Sequence, residues 1–279
     1  MKIFVFGSTG MLGRYVSTYF KLKNFDVIDI NRKDFNDLSL TNSSDIMLVL
    51  KNKDINVGDV VINCIGIIKQ RNGIDDLDFI NINSVFPRKL ANICELFKVN
   101  MLQPSSDCCF DGLRGKYSEE DSTNAIDVYG KTKALGEPSN ATVIRTSIIG
   151  EELKNKMSFI EFVKSNKNKT VNGYTNHIWN GITCLEFVKI CEDIINENMF
   201  WKGVKHVFTE NSINKYDLVK LVSETYKLNV NVIPLRTPIK CDRSLITIRN
   251  NINIIVPDYK TQLKELFEYN YILNLAKHE

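Results

Sequence analysis

Lys2-Ile3-Phe4-Val5-Phe6 runs directly into Gly7-Ser8-Thr9-Gly10-Met11-Leu12-Gly13, and this junction decides the fold. Five apolar, β-prone residues predict a strand, the glycines predict a tight turn, and Arg14 to Lys21 carries a helical pattern. In a strand-turn-helix unit of this kind each glycine has its own reason. Gly7 allows the turn, Gly10 lets a diphosphate approach the backbone at the helix amino end, and Gly13 lets helix and strand pack closely. Gly7, Thr9, Gly10, Met11, Leu12 and Gly13 are therefore candidate cofactor-binding residues. The spacing is Gly-x-x-Gly-x-x-Gly, whereas the usual dinucleotide fingerprint is Gly-x-Gly-x-x-Gly.

The first half continues as alternating strand and helix. Strands are expected at 2–6, 25–30, 59–64, 99–104 and 141–147, and helices at 11–22, 43–52, 78–98 and 127–137. That order implies an α/β fold built on a doubly wound parallel sheet, with ligands at the carboxyl ends of the strands. Gly7, Asn31, Cys64, Ser105 and Ser147 then face one crevice. The second half is less regular, with helices near 155–165, 183–196, 213–226 and 258–268, strands near 204–208 and 230–235, and polar loops such as Ser165 to Thr175. The division expected is a nucleotide-binding domain over 1–150 and a small substrate lobe over 151–279, with later segments free to return to the first domain. A basic pair, Arg32-Lys33, follows the second strand beside Asn31, where a 2′-phosphate would lie; Asp29 is the competing carboxylate that would favour a ribose diol.

Composition narrows the class. The 279 residues are 43% hydrophobic and 25% charged, enough for a sizeable core. A net charge of +3 with no long basic run argues against a nucleic-acid surface. No apolar run approaches a membrane span and the chain starts on a strand, so a cytoplasmic protein with no membrane partner is expected. Seven cysteines without zinc-type pairing fit a reducing compartment and no metal site.

Tyr129-Gly130-Lys131-Thr132-Lys133 puts a phenol and an ammonium one helical turn apart. A tyrosine serves as a proton donor or acceptor near neutral pH when a fixed cation and a dry setting favour its phenolate, and Lys133 is placed to supply the cation. Upstream stands Ser105-Ser106-Asp107-Cys108-Cys109-Phe110-Asp111-Gly112, at the end of an expected strand. Together with Tyr117-Ser118-Glu119-Glu120-Asp121 and the continuation Ala134-Leu135-Gly136-Glu137, these motifs resemble the extended short-chain dehydrogenase/reductases. Their order is most similar to the dTDP-4-dehydrorhamnose reductase family. The likeness is specific over residues 1 to 150 and looser to the end, where Cys241-Asp242-Arg243-Ser244-Leu245 resembles the family's last substrate-side segment.

The resemblance implies a Rossmann-type sheet, NADPH as cofactor and a nucleotide-sugar substrate. Tyr129 would be the proton donor, Ser106 a second hydrogen bond to the reacting carbonyl, and Lys133 both the pKa-lowering cation and a hold on the nicotinamide ribose. Asn31, Arg32, Cys64, Ile65 and Gly66 would line the cofactor. Asn81, Arg145, Asn176 and Arg243 are the substrate-side candidates, the two arginines for the diphosphate. Cys108 stands two residues past the catalytic hydroxyl, as in GDP-L-fucose synthases and plant-type bifunctional rhamnose enzymes, where it is an acid/base for epimerisation; His177 sits at the distance of the second acid/base. A packing thiol and a loop-capping imidazole are the alternative. The fullest expectation is a UDP-2-acetamido-2,6-dideoxy-L-hexose enzyme with 3-epimerase and 4-reductase activity, giving a UDP-L-rhamnosamine-type sugar. A plain dTDP-4-dehydrorhamnose reductase and a non-catalytic nucleotide-binding regulator, like the β subunit of methionine adenosyltransferase, stay open. So does a homodimer.

Overall fold

The computed structural model describes residues 1–35, 39–68, 73, 75–154 and 156–275. In chain order, the first half comprises β1 (Lys2–Phe6), α1 (Met11–Leu22), β2 (Asp26–Ile30), α2 (Arg32–Phe35), α3 (Ser43–Asn52), β3 (Val60–Asn63), α4 (Asp76–Ile80), α5 (Phe86–Leu96), β4 (Asn100–Pro104), α6 (Val128–Leu135) and β5 (Thr142–Arg145). The second half adds β6 (Ile148–Ile149), α7 (Phe159–Ser165), β7 (Thr170–Tyr174), β8 (His177–Trp179), β9 (Ile182–Thr183), α8 (Cys184–Asn196), β10 (Gly203–His206), β11 (Ile213–Asn214), α9 (Lys215–Thr225), β12 (Asn231–Leu235), β13 (Cys241–Asp242) and α10 (Tyr259–Leu275).

Successive side chains of β1 point to opposite faces, and Ile3, Phe4, Val5 and Phe6 are all fully buried. Ile3 and Val5 pack with Tyr15, Val16 and Phe20, while Phe4 and Phe6 pack with Ile46, Leu50 and Phe86. A strand buried on both faces belongs inside a parallel sheet. Accordingly β1 lies between β2 and β3 in a parallel six-stranded sheet of order β10-β5-β4-β3-β1-β2. The strand order reverses at β1 and β3, and the ends of these strands open the crevice expected of a doubly wound fold. A second core, including Ile160, Val163, Trp179, Leu218, Val222 and Leu263, lies under the lobe.

Three differences from the expected elements have physical causes. The single helix over 78–98 is two helices separated by a π turn, Asn81–Val85. Pro87 has no N–H to give to the Asn83 carbonyl one turn back, so the ladder is broken there. The buried Asn83 side chain brackets the Ile67 backbone, accepting from its N–H at 2.9 Å and donating to its carbonyl at 3.0 Å. Ser84 Oγ donates to the Thr132 carbonyl at 2.8 Å, tying this turn to α6. Second, β7 and β8 occupy stretches read as loop, because their partners are far away in sequence: β12 beside β7, and β11 and β13 on either side of β8. Third, β10 joins the main sheet beside β5, and α10 runs to Leu275, beyond the expected 268. The helix expected near 155–165 begins at Phe159; position 155 lies outside the described residues. Among the described residues no helix is long and apolar enough to cross a membrane.

Glu186 gives a measurable consequence of this packing. Thr183 caps α8 by accepting from the Glu186 N–H, but the reciprocal bond to the Thr183 N–H comes from Gln262 on α10 at 3.0 Å. The Glu186 carboxyl is left buried with Oε2 unpartnered. Burial pushes its pKa up to about 7 from 4.5. A folded pKa above the unfolded one means stability that is full below pH ~4.5 and lost as pH rises through ~7. Glu186→Gln is therefore expected to leave stability unchanged near pH 5 and to raise it by roughly 1–3 kcal/mol at pH 8, read by urea denaturation at both pH values.

Candidate active site

The glycine loop separates into two kinds of position. Gly7 has φ +74°, and a Cβ there would press on Ile65 Cγ1 at 2.9 Å; a Cβ on Gly13 would overlap the Gly7 carbonyl. Fold and packing require both. Gly10 has φ −75° and nothing nearer to a built Cβ than the Gly7 carbonyl at 3.4 Å. Neither backbone nor packing demands glycine there, so the space beside it serves something outside the chain. Gly10 is also the N-cap of α1 and has no side-chain cap, leaving first-turn N–H groups directed at that space. Free N–H groups at a helix start beside open space are the geometry that can accept a diphosphate. Thr9 is exposed beside it, while Met11 and Leu12 are half-buried against the core.

The neighbouring turn after β3 is held by Cys64 N–H to the Phe6 carbonyl (2.9 Å) and Ile65 N–H to Asn63 Oδ1 (3.0 Å). A Cβ on Gly66 would touch only Asn83 Oδ1 at 3.6 Å, an ordinary contact, so the chain's own packing does not account for glycine at this position. At the end of β2, Asp29 turns to Lys21 at 2.5 Å, and Asp34 accepts from the Asn31 N–H at 2.8 Å while pairing with Lys53 at 2.8 Å. Asp34 is committed, and Asp29 is paired through Oδ2 while its Oδ1 is buried without a partner. Arg32 stays exposed at the start of α2.

Tyr129 and Lys133 project from α6, whose start is fixed by Asp127 accepting from the Gly130 N–H at 2.8 Å. Gly130 lies so close to the Cys108 carbonyl that a Cβ would overlap it, which seats α6 on the turn Asp107–Cys109. Ser106 is the N-cap of that turn, accepting from the Cys108 N–H at 3.1 Å, and its hydroxyl is hydrogen-bonded to Tyr129. Burial, then the Cys108 charge, raises the Tyr129 pKa, while the Ser106 bond lowers it. The phenol is therefore held protonated. The sequence expectation that Lys133 pulls this pKa down is not met: the Lys133 ammonium donates to the Pro104 carbonyl at 3.1 Å, and its own pKa is lowered by burial. Asp107 is buried, which raises its pKa, while Arg243 and Lys215 draw it back; Cys108 and Ser147 hydrogen-bond to it.

Beneath this turn lies a polar network that sequence reading misassigned. Ser105 Oγ donates to Glu137 at 2.5 Å, and Arg145 holds the Glu137 carboxylate with Nε at 2.8 Å and Nη2 at 2.6 Å. Arg145 Nη1 reaches His206 Nε2 at 2.9 Å. Burial, then Arg145, lowers the His206 pKa to about 4, so the ring is neutral. Its Nδ1–H then donates to the Tyr117 and Ile246 carbonyls, leaving Nε2 to accept from Arg145. The Arg145 and Glu137 side chains are 5% and 8% exposed. Arg145 is thus a buried strut under the catalytic turn, not a ligand for a substrate diphosphate.

The facing wall comes from the lobe. Arg243 donates from Nε to the Phe110 carbonyl at 2.8 Å and from Nη2 to the Asp111 carbonyl at 3.3 Å, joining the β13 segment to the catalytic turn. Its Nη1 contacts Cys241 Sγ at 3.3 Å. His177 opens β8, with Nε2 on Thr237 Oγ1 at 2.9 Å and its ring 4.5 Å from that of Tyr174. Burial, then Lys215 and Arg243, lowers its pKa. Asn176, expected on the substrate, is spent on Thr237, donating to its carbonyl at 2.9 Å and accepting from its N–H at 3.1 Å. Asn81 is exposed in the π turn with helical backbone and ends α4 as its C-cap through its backbone N–H, starting no helix with its side chain; the buried Asn83 is the residue that shapes this edge. The cations whose charge reaches Cys108 are Arg243 and Lys215, whereas Lys133 faces Cys109, Glu137 and Cys64. Sequence reading passed over Lys215 and Cys241. A lysine directly after an Asn cap, opposed to the helix dipole, is the signal that could have flagged Lys215.

The RmlD substrate binding domain family matches residues 1–268. The chain is 26% identical over 233 residues to a dTDP-4-dehydrorhamnose reductase of Aggregatibacter actinomycetemcomitans, covering 77% of this chain and 76% of that one. It is 23% identical over 249 residues to the methionine adenosyltransferase 2 subunit beta of Bos taurus, covering 81% and 72%. Its fold is shared by the dTDP-4-dehydrorhamnose reductase of Bacillus anthracis solved in complex with NADP, with a TM-score of 0.81 at 19% identity over 96% of this chain and 99% of that one. With the glycine cradle and the Ser106, Tyr129 and Lys133 cluster on one crevice, the match over nearly the whole chain places this protein in the RmlD substrate binding domain family.

Proposed function

We propose that the protein is an NADPH-dependent oxidoreductase that reduces the C4 ketone of a nucleotide-linked 4-keto-6-deoxy-hexose, and that the same site inverts C3. The observation that carries the reduction is the hydrogen bond between Ser106 and a protonated Tyr129, with Lys133 one turn further on the same helix, beside the diphosphate cradle. NADPH, when bound, supplies hydride to the ketone carbon. Tyr129 gives its phenolic proton to the ketone oxygen, and Ser106 donates a second hydrogen bond as charge develops there. Lys133, half-buried with its ammonium on the Pro104 carbonyl, holds the nicotinamide ribose in this reading. Preference for NADPH over NADH is supported by the exposed Arg32 next to carboxylates that are already paired.

The C3 step is supported by Cys108, a thiol next to Ser106 within reach of the Arg243 and Lys215 charges, with His177 on the opposite wall. The thiol favours inversion at C3 over the reduction alone of a plain dTDP-4-dehydrorhamnose reductase, and a UDP-linked 2-acetamido substrate with a UDP-L-rhamnosamine-type product is the form of this reading to be tested. The reading of a non-catalytic nucleotide-binding subunit draws on the methionine adenosyltransferase relatives. The complete proton-transfer cluster favours the enzyme.

Purified protein is to be offered UDP-, dTDP- and GDP-linked 4-keto sugars with NADPH or NADH. The expected result is faster oxidation of NADPH and, without cofactor in deuterated water, deuterium at C3. Faster turnover with NADH would remove the role given to Arg32. A C3 without deuterium would leave a 4-reductase only.

A further inference from the structure

Inverting the carbon beside a ketone takes two proton carriers, one that removes a proton from one face and one that delivers a proton to the other. Cys108 belongs to the turn after β4, on the side of the main sheet. Opposite it, the three-stranded sheet β11-β8-β13 sets three side chains of the lobe together: Cys241 pairs with His177, and Asn214, the residue before Lys215, pairs with Ile178.

Lys215 is the unusual member. It is the first residue of α9, where the helix dipole opposes a cation. Its ammonium sits over two rings, 4.7 Å from the centre of Phe159 and 4.9 Å from that of Trp179. Among the described residues no carboxylate lies within ion-pair distance of it. The groups whose charge it feels are Asp107 and Cys108 from the catalytic turn and Cys241 from β13, and it in turn acts on His177 of β8. The two rings and the Asp107 charge hold the ammonium against the helix end without a direct ion-pair partner.

We propose that Lys215 returns the proton to C3 from the lobe side after Cys108 has removed one from the other face. The inference rests on the C3 inversion read above and replaces His177 in that step. Cys108 as thiolate takes the C3 hydrogen as a proton, and the pair of electrons from the C–H bond forms an enolate with C4, its oxygen held by Tyr129 and Ser106. The Lys215 ammonium then protonates the opposite face of C3, the enolate collapses to the ketone, and the thiol and amine exchange protons with water to restore thiolate and ammonium. Electrons balance without an oxidant or reductant. Burial brings the Lys215 pKa down to about 8, which lets it give up and regain a proton near neutral pH. His177 suits the step less well. The Thr237 hydroxyl proton goes to Asn176 or Ile239, so His177 Nε2–H is held as a donor to Thr237 Oγ1.

The test is inversion at C3 of the accepted 4-keto sugar nucleotide without NADPH, read by NMR as the rate at which the C3 epimer appears in deuterated water, for wild type, Lys215→Met and Lys215→Arg. NADPH affinity and near-ultraviolet circular dichroism report whether each variant is folded. Wild-type inversion is expected to fall as pH rises through about 8, because the ammonium is lost. Both variants are expected to lose inversion by roughly a hundredfold or more, as arginine keeps the charge but does not release its proton, while deuterium incorporation with retention through Cys108 continues and lacks the alkaline decline. Wild-type rates in Lys215→Arg would make Lys215 a fixed charge and overturn the proposal. Wild-type rates in Lys215→Met would overturn it while C3 exchange itself stands. No exchange in wild type would overturn both.

Discussion

Tyr129→Phe is expected to lower reduction of the keto sugar by roughly a hundredfold or more while leaving NADPH affinity within about twofold. Phenylalanine keeps the ring on α6 and removes the hydroxyl that bonds to Ser106. The missing proton donor acts only as charge develops on the ketone oxygen, so the loss belongs in kcat. Lys133→Met is expected to behave differently and to weaken cofactor binding as well, because that ammonium sits against the Pro104 carbonyl at the floor of the cofactor side. Stopped-flow turnover and fluorescence titration with NADPH separate the two. Near-wild-type turnover in Tyr129→Phe would mean that another group donates the proton.

The second large effect is on stability. Arg145→Met is expected to cost about 3–5 kcal/mol, because it leaves the Glu137 carboxylate buried beside Ser105 without its bidentate partner. Packing over the Phe110 ring, 5.2 Å from the guanidinium, is altered as well. The double variant with Glu137→Gln should recover part of the loss, since no uncompensated charge then remains. Urea denaturation reads this as a lower midpoint with an unchanged slope. A cost below about 1 kcal/mol would mean that Arg145 is free to leave Glu137 and reach a substrate, contrary to its place under the catalytic turn.

What sequence made legible follows from range. The strand-turn-helix at the glycine loop, the alternating strands and the helix that carries Tyr129 and Lys133 are local patterns whose partners lie within a few residues, and these elements stand where they are read. Arg145 reads in sequence as a ligand for the substrate diphosphate because one of its partners, His206, reaches it only when β10 pairs with β5. Asn176 looked available because Thr237, which takes up its amide, lies 61 residues away. Strands β7 and β8 are short and carry no clear alternation, and only pairing with β12, β11 and β13 makes them strands. The π turn is a different case. Pro87 is visible in the sequence, but its effect depends on Asn83 finding the Ile67 backbone.

The central claim is hydride transfer to a sugar ketone at a site where Tyr129 supplies the proton. Its most direct test uses NADPH deuterated at C4 of the nicotinamide with the panel of 4-keto sugar nucleotides, followed by NMR of the product. The account predicts a product with deuterium on C4 of the hexose and a new C4 hydroxyl, formed by wild type and not by Tyr129→Phe. Tight NADPH binding with no deuterium reaching any sugar would contradict it.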